Sequence, residues 1–124
     1  MSNRILVIED NEDNRQIIRD LLTSLGCELI EAVDGVEGVA MAQSHRPDLI
    51  LMDIQLPEMD GYEATRQIRT VSELAHVPII AVTSYALSGD EAKARDAGCN
   101  GYVAKPFSPR ELLAKIREFL PDAG

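Results

Sequence analysis

Positive charge is scarce in this sequence of 124 residues. Lysine and arginine number 12 against 21 aspartates and glutamates, which gives a formal net charge of −9 at pH 7. Such an acidic chain repels the phosphates of nucleic acids and of anionic membranes, so neither is an expected partner. Apolar runs stay well below the roughly 18 residues of a membrane span, and the first one is too short for a signal peptide. We therefore expect a cytoplasmic protein.

Cysteine is scarce as well. Cys27 and Cys99 are too few for a disulfide framework, and we expect small buried or half-buried thiols rather than a redox pair. The length suits one domain with its own core. No linker, repeat or low-complexity segment divides the chain, so residues 1–124 are expected to form a single domain with a frayed tail at 121–124.

Five apolar runs have the character of strands. They are Ile5–Ile8, Glu28–Ala32, Leu49–Met52, Ile79–Val82 and Tyr102–Ala104. The first, third and fourth runs are continuous, as in parallel strands that are covered on both faces. The second run alternates apolar and acidic residues, which is typical of an edge strand.

Helical patterns separate these runs. A capping residue followed by glutamate three positions later marks four helix starts, at Asp34, Asp60, Ser88 and Ser108. The segment Leu87–Ala97 has a weak apolar face, largely alanine, so we expect that helix to be lightly anchored and partly exposed. The alternation of strands and helices predicts an α/β domain of three layers with right-handed crossovers.

Polar residues stand at the ends of four predicted strands. They are Glu9 and Asp10, Asp53, Thr83 and Ser84, and Lys105 and Pro106. Ligands of an open parallel sheet bind beyond the carboxyl ends of its strands, so these residues should converge. Three carboxylates and one ammonium would carry a net charge of −2, which a divalent cation would balance. Carboxylate oxygens suit Mg²⁺, which keeps several waters and prefers a partner phosphate.

These segments together resemble the response regulator receiver domain of two-component signalling, in the CheY-like superfamily. The matching text is Ile5–Asn11, Leu49–Gly61, Ile79–Ser84 and Tyr102–Phe107. The resemblance implies a flavodoxin-like (βα)₅ fold with a doubly wound parallel sheet of strand order 2-1-3-4-5. The motifs are most similar to those of stand-alone DivK-type regulators and of hybrid histidine kinase receivers.

The resemblance also implies a role for each residue of the set. Asp53 is expected to be the phosphoacceptor, forming an aspartyl phosphate. The implied ligands of Mg²⁺ are Glu9, Asp10, Asp53 and the backbone carbonyl of Gln55. Lys105 and Thr83 are expected to contact oxygens of the phosphoryl group, Lys105 as a point charge.

Further implied features surround this site. Tyr102 is expected to turn inward when Thr83 moves toward the phosphoryl group. Ser84 and Tyr85 are expected near the phosphoryl group, and a bulky Tyr85 would slow its hydrolysis. The peptide before Pro106 is expected to be cis, which is rare even before proline.

The resemblance implies protein partners. The phosphoryl donor is expected to be a sensor histidine kinase or a histidine phosphotransfer protein, docking on the helix after Asp10. Output is expected to pass to a downstream protein effector at the face formed by helix 4, strand 5 and helix 5. The chain would act as a monomer or as a phosphorylation-linked dimer, and it would not be a multiple-turnover enzyme.

Four alternatives stay open. An aspartate-nucleophile phosphatase would carry a second acid two residues after Asp53, where this chain has Gln55. A flavin-binding domain would need a hydroxyl- and glycine-rich loop after the first strand, where this chain is acidic. A scaffold without phosphorylation would not need the complete polar set. The chain could also be the receiver fragment of a hybrid histidine kinase.

Overall fold

The computed structural model describes residues 3–83 and 90–121. Strands and helices alternate along the chain in the predicted order. Their bounds are β1 Arg4–Ile8, α1 Glu12–Ser24, β2 Glu28–Ala32, α2 Gly35–His45, β3 Leu49–Asp53, α3 Gly61–Arg69, β4 Ile79–Thr83, α4 Asp90–Ala97, β5 Gly101–Ala104 and α5 Pro109–Phe119. A short 3₁₀ turn, Ser72–Leu74, separates α3 from β4. No helix in the described ranges is both long and apolar enough to cross a membrane.

The strands form one parallel sheet in the order β2-β1-β3-β4-β5. The order that the resemblance implies is therefore confirmed. Every residue of the central strands β3 and β4 is buried. The edge strand β2 begins with an exposed glutamate, as its alternating pattern predicts. Strand order reverses between β1 and β3, so the loops that follow the carboxyl ends of these two strands meet at one edge of the sheet.

Alternate residues of each strand enter two separate cores. Ile5 and Val7 of β1 pack with Ile18 of α1 and Ile116 of α5 on one face. The intervening residues pack on the other face, against α2, α3 and α4. Helices on both faces thus complete the three predicted layers.

Local capping chemistry sets the helix starts. The side chains of Asp34, Asp60 and Ser108 each accept a hydrogen bond from the backbone N–H of the glutamate three residues later. These three predicted starts are confirmed, while the fourth, at Ser88, lies outside the described residues. Among residues 91–97 of α4 only Ala94 and Ala97 are buried, which agrees with the predicted weak apolar face, while residues 87–89 of that predicted segment lie outside the described residues.

Both cysteines are free, as predicted. Cys99 is buried and Cys27 is half-buried. They precede β5 and β2, the two outer strands of the sheet. Burial raises the pKa of both thiols, which suits structural rather than reactive cysteines.

Gly61, the first residue of α3, lies against the end of β3. A Cβ there would sit 2.4 Å from the carbonyl oxygen of Asp53 and 2.7 Å from Cα of Ile54. We expect Gly61→Ala to lower the free energy of unfolding by about 3 kcal/mol, because the backbone itself must move. Gly26→Ala is the matched control: it has open space but a φ of +76°, and should cost about 1 kcal/mol. Urea unfolding of both variants measures the difference, and equal losses would contradict the prediction.

Candidate functional site

Three carboxylates meet at the carboxyl edge of the sheet. Glu9 and Asp10 follow β1, and Asp53 is the last residue of β3, the neighbouring strand. One carboxylate oxygen from each lies within 4.8 Å of the others. Glu9 and Asp53 are buried, at 2% and 3% exposure, whereas Asp10 is exposed. The predicted convergence of these residues is therefore what the fold produces.

Lys105, which follows β5, reaches into this cluster. Its Nζ lies 2.8 Å from Oε1 of Glu9 and 3.3 Å from Oδ2 of Asp53, and its side chain is 14% exposed. The second oxygens of the two buried carboxylates accept backbone N–H groups. Asn11 donates to Oε2 of Glu9 at 3.2 Å, and Gln55 donates to Oδ1 of Asp53 at 3.0 Å. Both buried carboxylates are thus held in position on two sides.

The surroundings of Glu9 disfavour its ionised form. Burial, together with the hydrogen bond and charge of Asp53, raises the pKa of Glu9 above its usual 4.5, and Lys105 only partly opposes this. Partial desolvation and the neighbouring Glu9 raise the pKa of Asp10 above its usual 3.8. Negative charges in the cluster therefore repel one another even with the lysine present.

Lys105 stays charged in this position. Burial on its own would lower the pKa of Lys105, but its hydrogen bond to Glu9 and the charge of Asp53 outweigh this and raise it. Three carboxylates and one ammonium leave a net charge of −2 when all four groups are ionised. A set of hard carboxylate oxygens with that charge fits a divalent cation such as Mg²⁺.

Of the remaining predicted residues, the structure describes Thr83, Tyr102 and Pro106. Thr83 ends β4 with its side chain buried, and its backbone carbonyl accepts the N–H of Lys105 at 2.7 Å. Tyr102 lies on β5, opposite Ala81, and is half-buried. The Lys105–Pro106 peptide is cis, as the resemblance implies. Ser84 and Tyr85 lie outside the described residues.

Two residues of the site were missed in the sequence. Asn11 caps α1 and also donates its backbone N–H to Glu9. An asparagine directly before an amphipathic helix is a capping signal, and it could have indicated that Asn11 caps α1. Arg15 of α1 donates to the backbone carbonyl of Glu9 at 2.8 Å. The two residues are six positions apart, on either side of the turn from β1 to α1, and such a contact has no capping or periodic pattern of its own.

Comparison with known proteins agrees with this geometry. The profile of the response regulator receiver domain matches residues 5–117. A curated relative, the polar-differentiation response regulator DivK of Brucella anthropi, is 45% identical over 123 residues, which cover 99% of this chain and all of DivK.

Solved structures show the same architecture. The receiver domain of the sensor histidine kinase PA1611 from Pseudomonas aeruginosa, with a magnesium ion coordinated in its active-site cleft, has a TM-score of 0.90. It is 42% identical, and the match covers 98% of this chain and 99% of that one. The chemotaxis response regulator CheY4 of Vibrio cholerae has a TM-score of 0.92 at 29% identity, with 96% and 99% covered. The chain belongs to the response regulator receiver domain family of two-component signalling.

Proposed function

We propose that this chain accepts a phosphoryl group on Asp53 from a partner phosphohistidine, in the presence of Mg²⁺. The observation that carries the proposal is the cluster of Glu9, Asp10 and Asp53 with Lys105 Nζ at 2.8 and 3.3 Å from two of its carboxylates. Support also comes from the receiver family, whose solved member from Pseudomonas aeruginosa holds magnesium in its cleft.

The proposed step is a displacement at phosphorus. An oxygen of the Asp53 carboxylate forms a bond to phosphorus, and the bond between phosphorus and the imidazole nitrogen of the donor breaks. The leaving nitrogen keeps the electron pair, and the product is an aspartyl phosphate. The backbone N–H of Gln55 holds Oδ1 of Asp53, and Lys105 lies beside Oδ2, so the nucleophile is oriented before the donor arrives.

We assign Mg²⁺ to the oxygens of Glu9, Asp10 and Asp53 and to the backbone carbonyl of Gln55. When bound, the cation neutralises the charge of the incoming phosphoryl group, which the carboxylates would otherwise repel. Lys105 would exchange its contact with Asp53 for one with a phosphoryl oxygen, and Thr83 would donate its hydroxyl hydrogen bond to another. Gln55 carries an amide at the position where an aspartate-nucleophile phosphatase has its general acid. Hydrolysis of the phosphate from Asp53 should therefore be slow, without the rapid turnover of a phosphatase.

Output from the site is proposed to run through Thr83 and Tyr102. Thr83 pairs with Ala104 of β5, and Tyr102 is two residues earlier on the same strand. The outer side of this region, formed by α4, β5 and α5, is the proposed surface for a downstream protein effector or a second receiver. The lightly anchored α4 suits a surface that rearranges. A cytoplasmic location and the single domain of residues 1–124 stay predictions.

The proposed function is tested by intact-protein mass spectrometry after incubation with acetyl phosphate and Mg²⁺. We expect the mass of one phosphoryl group to be added, and we expect a chelator such as EDTA to prevent the addition. Phosphorylation that persists undiminished in EDTA would contradict the assigned metal. Absence of the adduct with acetyl phosphate and also with a phosphorylated histidine phosphotransfer protein would overturn the proposal.

The histidine donor is proposed to dock beside α1. A surface cavity of about 400 Å³ is lined by Asn14, Ile17, Lys105, Pro106 and Phe107. Ile17 is 48% exposed there although it is apolar, and Lys105 connects this cavity to the acidic cluster. A donor that covers Ile17 would therefore bring its phosphohistidine to the edge where Asp53 lies.

Ile17→Ser should separate partner docking from chemistry. We expect kcat/KM for transfer from a phosphotransfer protein to fall about tenfold, since one buried apolar contact is lost, while the rate with acetyl phosphate changes less than twofold. Val36→Ser is the matched control, because Val36 is 59% exposed on α2 and does not line this cavity. Equal loss with both donors would contradict the assigned docking surface.

A further inference from the structure

Glu9 is fixed through its backbone as well as its side chain. Its N–H donates to the carbonyl of Ala32 on β2 at 3.0 Å, which continues the sheet by one bond beyond β1. Its carbonyl accepts Nη1 of Arg15 at 2.8 Å. That carbonyl belongs to the planar peptide unit that also carries the N–H of Asp10. The hydrogen bond from Arg15 therefore fixes the orientation of the peptide plane that leads into Asp10.

The position of the Asp10 carboxylate depends on this peptide plane more than the positions of the Glu9 and Asp53 carboxylates do. The carboxylates of Glu9 and Asp53 are buried and each is held by Lys105 and a backbone N–H. Asp10 is exposed, so close packing does not hold its side chain. Besides its contacts with the Glu9 side chain and with its own backbone N–H, the position of its carboxylate depends on the backbone from which the side chain starts.

Arg15 is itself held firmly. Its side chain is 12% exposed, and besides Glu9 its guanidinium pairs with Glu31 of β2 at 3.4 Å and with Glu12 of its own helix. Arg19 pairs with the same two carboxylates, at 2.7 Å to Glu31 and 3.3 Å to Glu12. The positive charges of the two arginines are balanced by the negative charges of Glu12 and Glu31. The planar fork of Arg15 is therefore suited to orient a peptide unit rather than to offset the acidic cluster.

From these contacts we propose that Arg15 is a positioning residue for the metal site: its guanidinium fixes the Glu9–Asp10 peptide and thereby places the Asp10 carboxylate for Mg²⁺. This inference rests on the proposed metal site. Partners that orient metal ligands typically change metal affinity 10- to 100-fold when they are removed.

Electrostatics and positioning predict opposite signs for the loss of Arg15. Removal of a positive charge near an acidic cluster should strengthen binding of a divalent cation if charge alone matters. Loss of the fork should weaken binding if Arg15 places Asp10. Arg19 is the matched control, because it has the same charge and the same two carboxylate partners, but its hydrogen bonds lead to Glu31, Glu12 and Gln16 rather than to the Glu9 carbonyl.

The test is calorimetric titration of the full chain with MgCl₂ at fixed ionic strength, comparing Arg15→Met with Arg19→Met. Methionine keeps most of the apolar stem and removes the guanidinium. We expect Kd for Mg²⁺ to rise about tenfold in Arg15→Met and to stay within twofold of the parent, or to fall, in Arg19→Met. The thermal unfolding of both variants is followed by circular dichroism to show that they are folded.

Other outcomes overturn the inference. Equal changes in the two variants, or tighter binding in Arg15→Met, would show that Arg15 acts through charge or general packing. If Arg15→Met does not fold, Arg15→Lys keeps the charge and stem without the planar fork, and an unchanged Kd in that variant would contradict positioning. Failure of the parent chain to bind Mg²⁺ would overturn the proposed metal site itself, and the inference with it.

Discussion

Asp53→Asn should abolish phosphorylation of this chain. The amide is nearly the same size as the carboxylate and can still accept the N–H of Gln55 at the position where Oδ1 now accepts it at 3.0 Å. An amide oxygen is too weak a nucleophile to form a stable bond to phosphorus at neutral pH. We therefore expect no added phosphoryl mass, a fall of at least about 100-fold from the parent, with acetyl phosphate or with a histidine phosphotransfer protein.

Asp96→Asn is the control for this experiment. Asp96 is an exposed carboxylate of α4, near the negative end of the helix dipole, so its loss should not destabilise the chain. Phosphorylation of Asp96→Asn should match that of the parent. A full adduct in Asp53→Asn would show that another residue accepts the group. Peptide mapping of the phosphorylated parent would then identify that residue.

Lys105→Met should have the largest effect on stability, and should change metal binding and phosphoryl transfer in opposite directions. Loss of the ammonium leaves the buried carboxylates of Glu9 and Asp53 without the cation that now lies 2.8 and 3.3 Å away. Removal of one partner from a buried ion pair costs about 3–5 kcal/mol. Binding of Mg²⁺ should become tighter because a competing positive charge is gone. Phosphoryl transfer should slow about 100-fold, since one contact to the phosphoryl oxygens is lost.

The stability loss in Lys105→Met should depend on pH. The pKa of Lys105 is raised in the folded chain, so its contribution to stability is complete below its usual 10.5 and is lost as the pH rises through the raised value. The pKa of Glu9 is raised as well, so the stability that protonated Glu9 contributes is complete below its usual 4.5 and is lost as the pH rises through the raised value. Protonation of Glu9 in acid also removes the negative charge that Lys105 pairs with, so parent and variant should differ most near neutral pH and least in acid.

Urea unfolding of Lys105→Met at pH 7 and pH 4 in metal-free buffer measures this difference. Lys115→Met is the matched control, because Lys115 forms a pair with the exposed Glu118 on α5. Exposed pairs of that kind contribute at most about 1 kcal/mol. Similar losses in the two variants, or a larger loss in acid than at neutral pH for Lys105→Met, would contradict the assigned role of Lys105.

Local chemistry explains why the helices and strands were predictable. Asp34, Asp60 and Ser108 accept a backbone N–H three residues onward whatever lies beyond the helix. Long apolar runs such as Leu49–Met52 are stable only where both faces are covered. The order of the strands is different, because hydrophobic periodicity does not specify which strands are neighbours. That order came from the resemblance of the motifs to the receiver family.

The sequence by itself determined the elements, the residue types at the strand ends and the acidic excess, since each depends on neighbours within a few positions. Only the tertiary structure decided how the charges of the site are arranged. Lys105 lies 2.8 Å from Glu9 because β5 and β1 end at the same edge of one sheet, and Arg15 reaches Glu31 because α1 packs beside β2. Both contacts join residues whose separation in space is set by the whole fold, so no short stretch of sequence contains them.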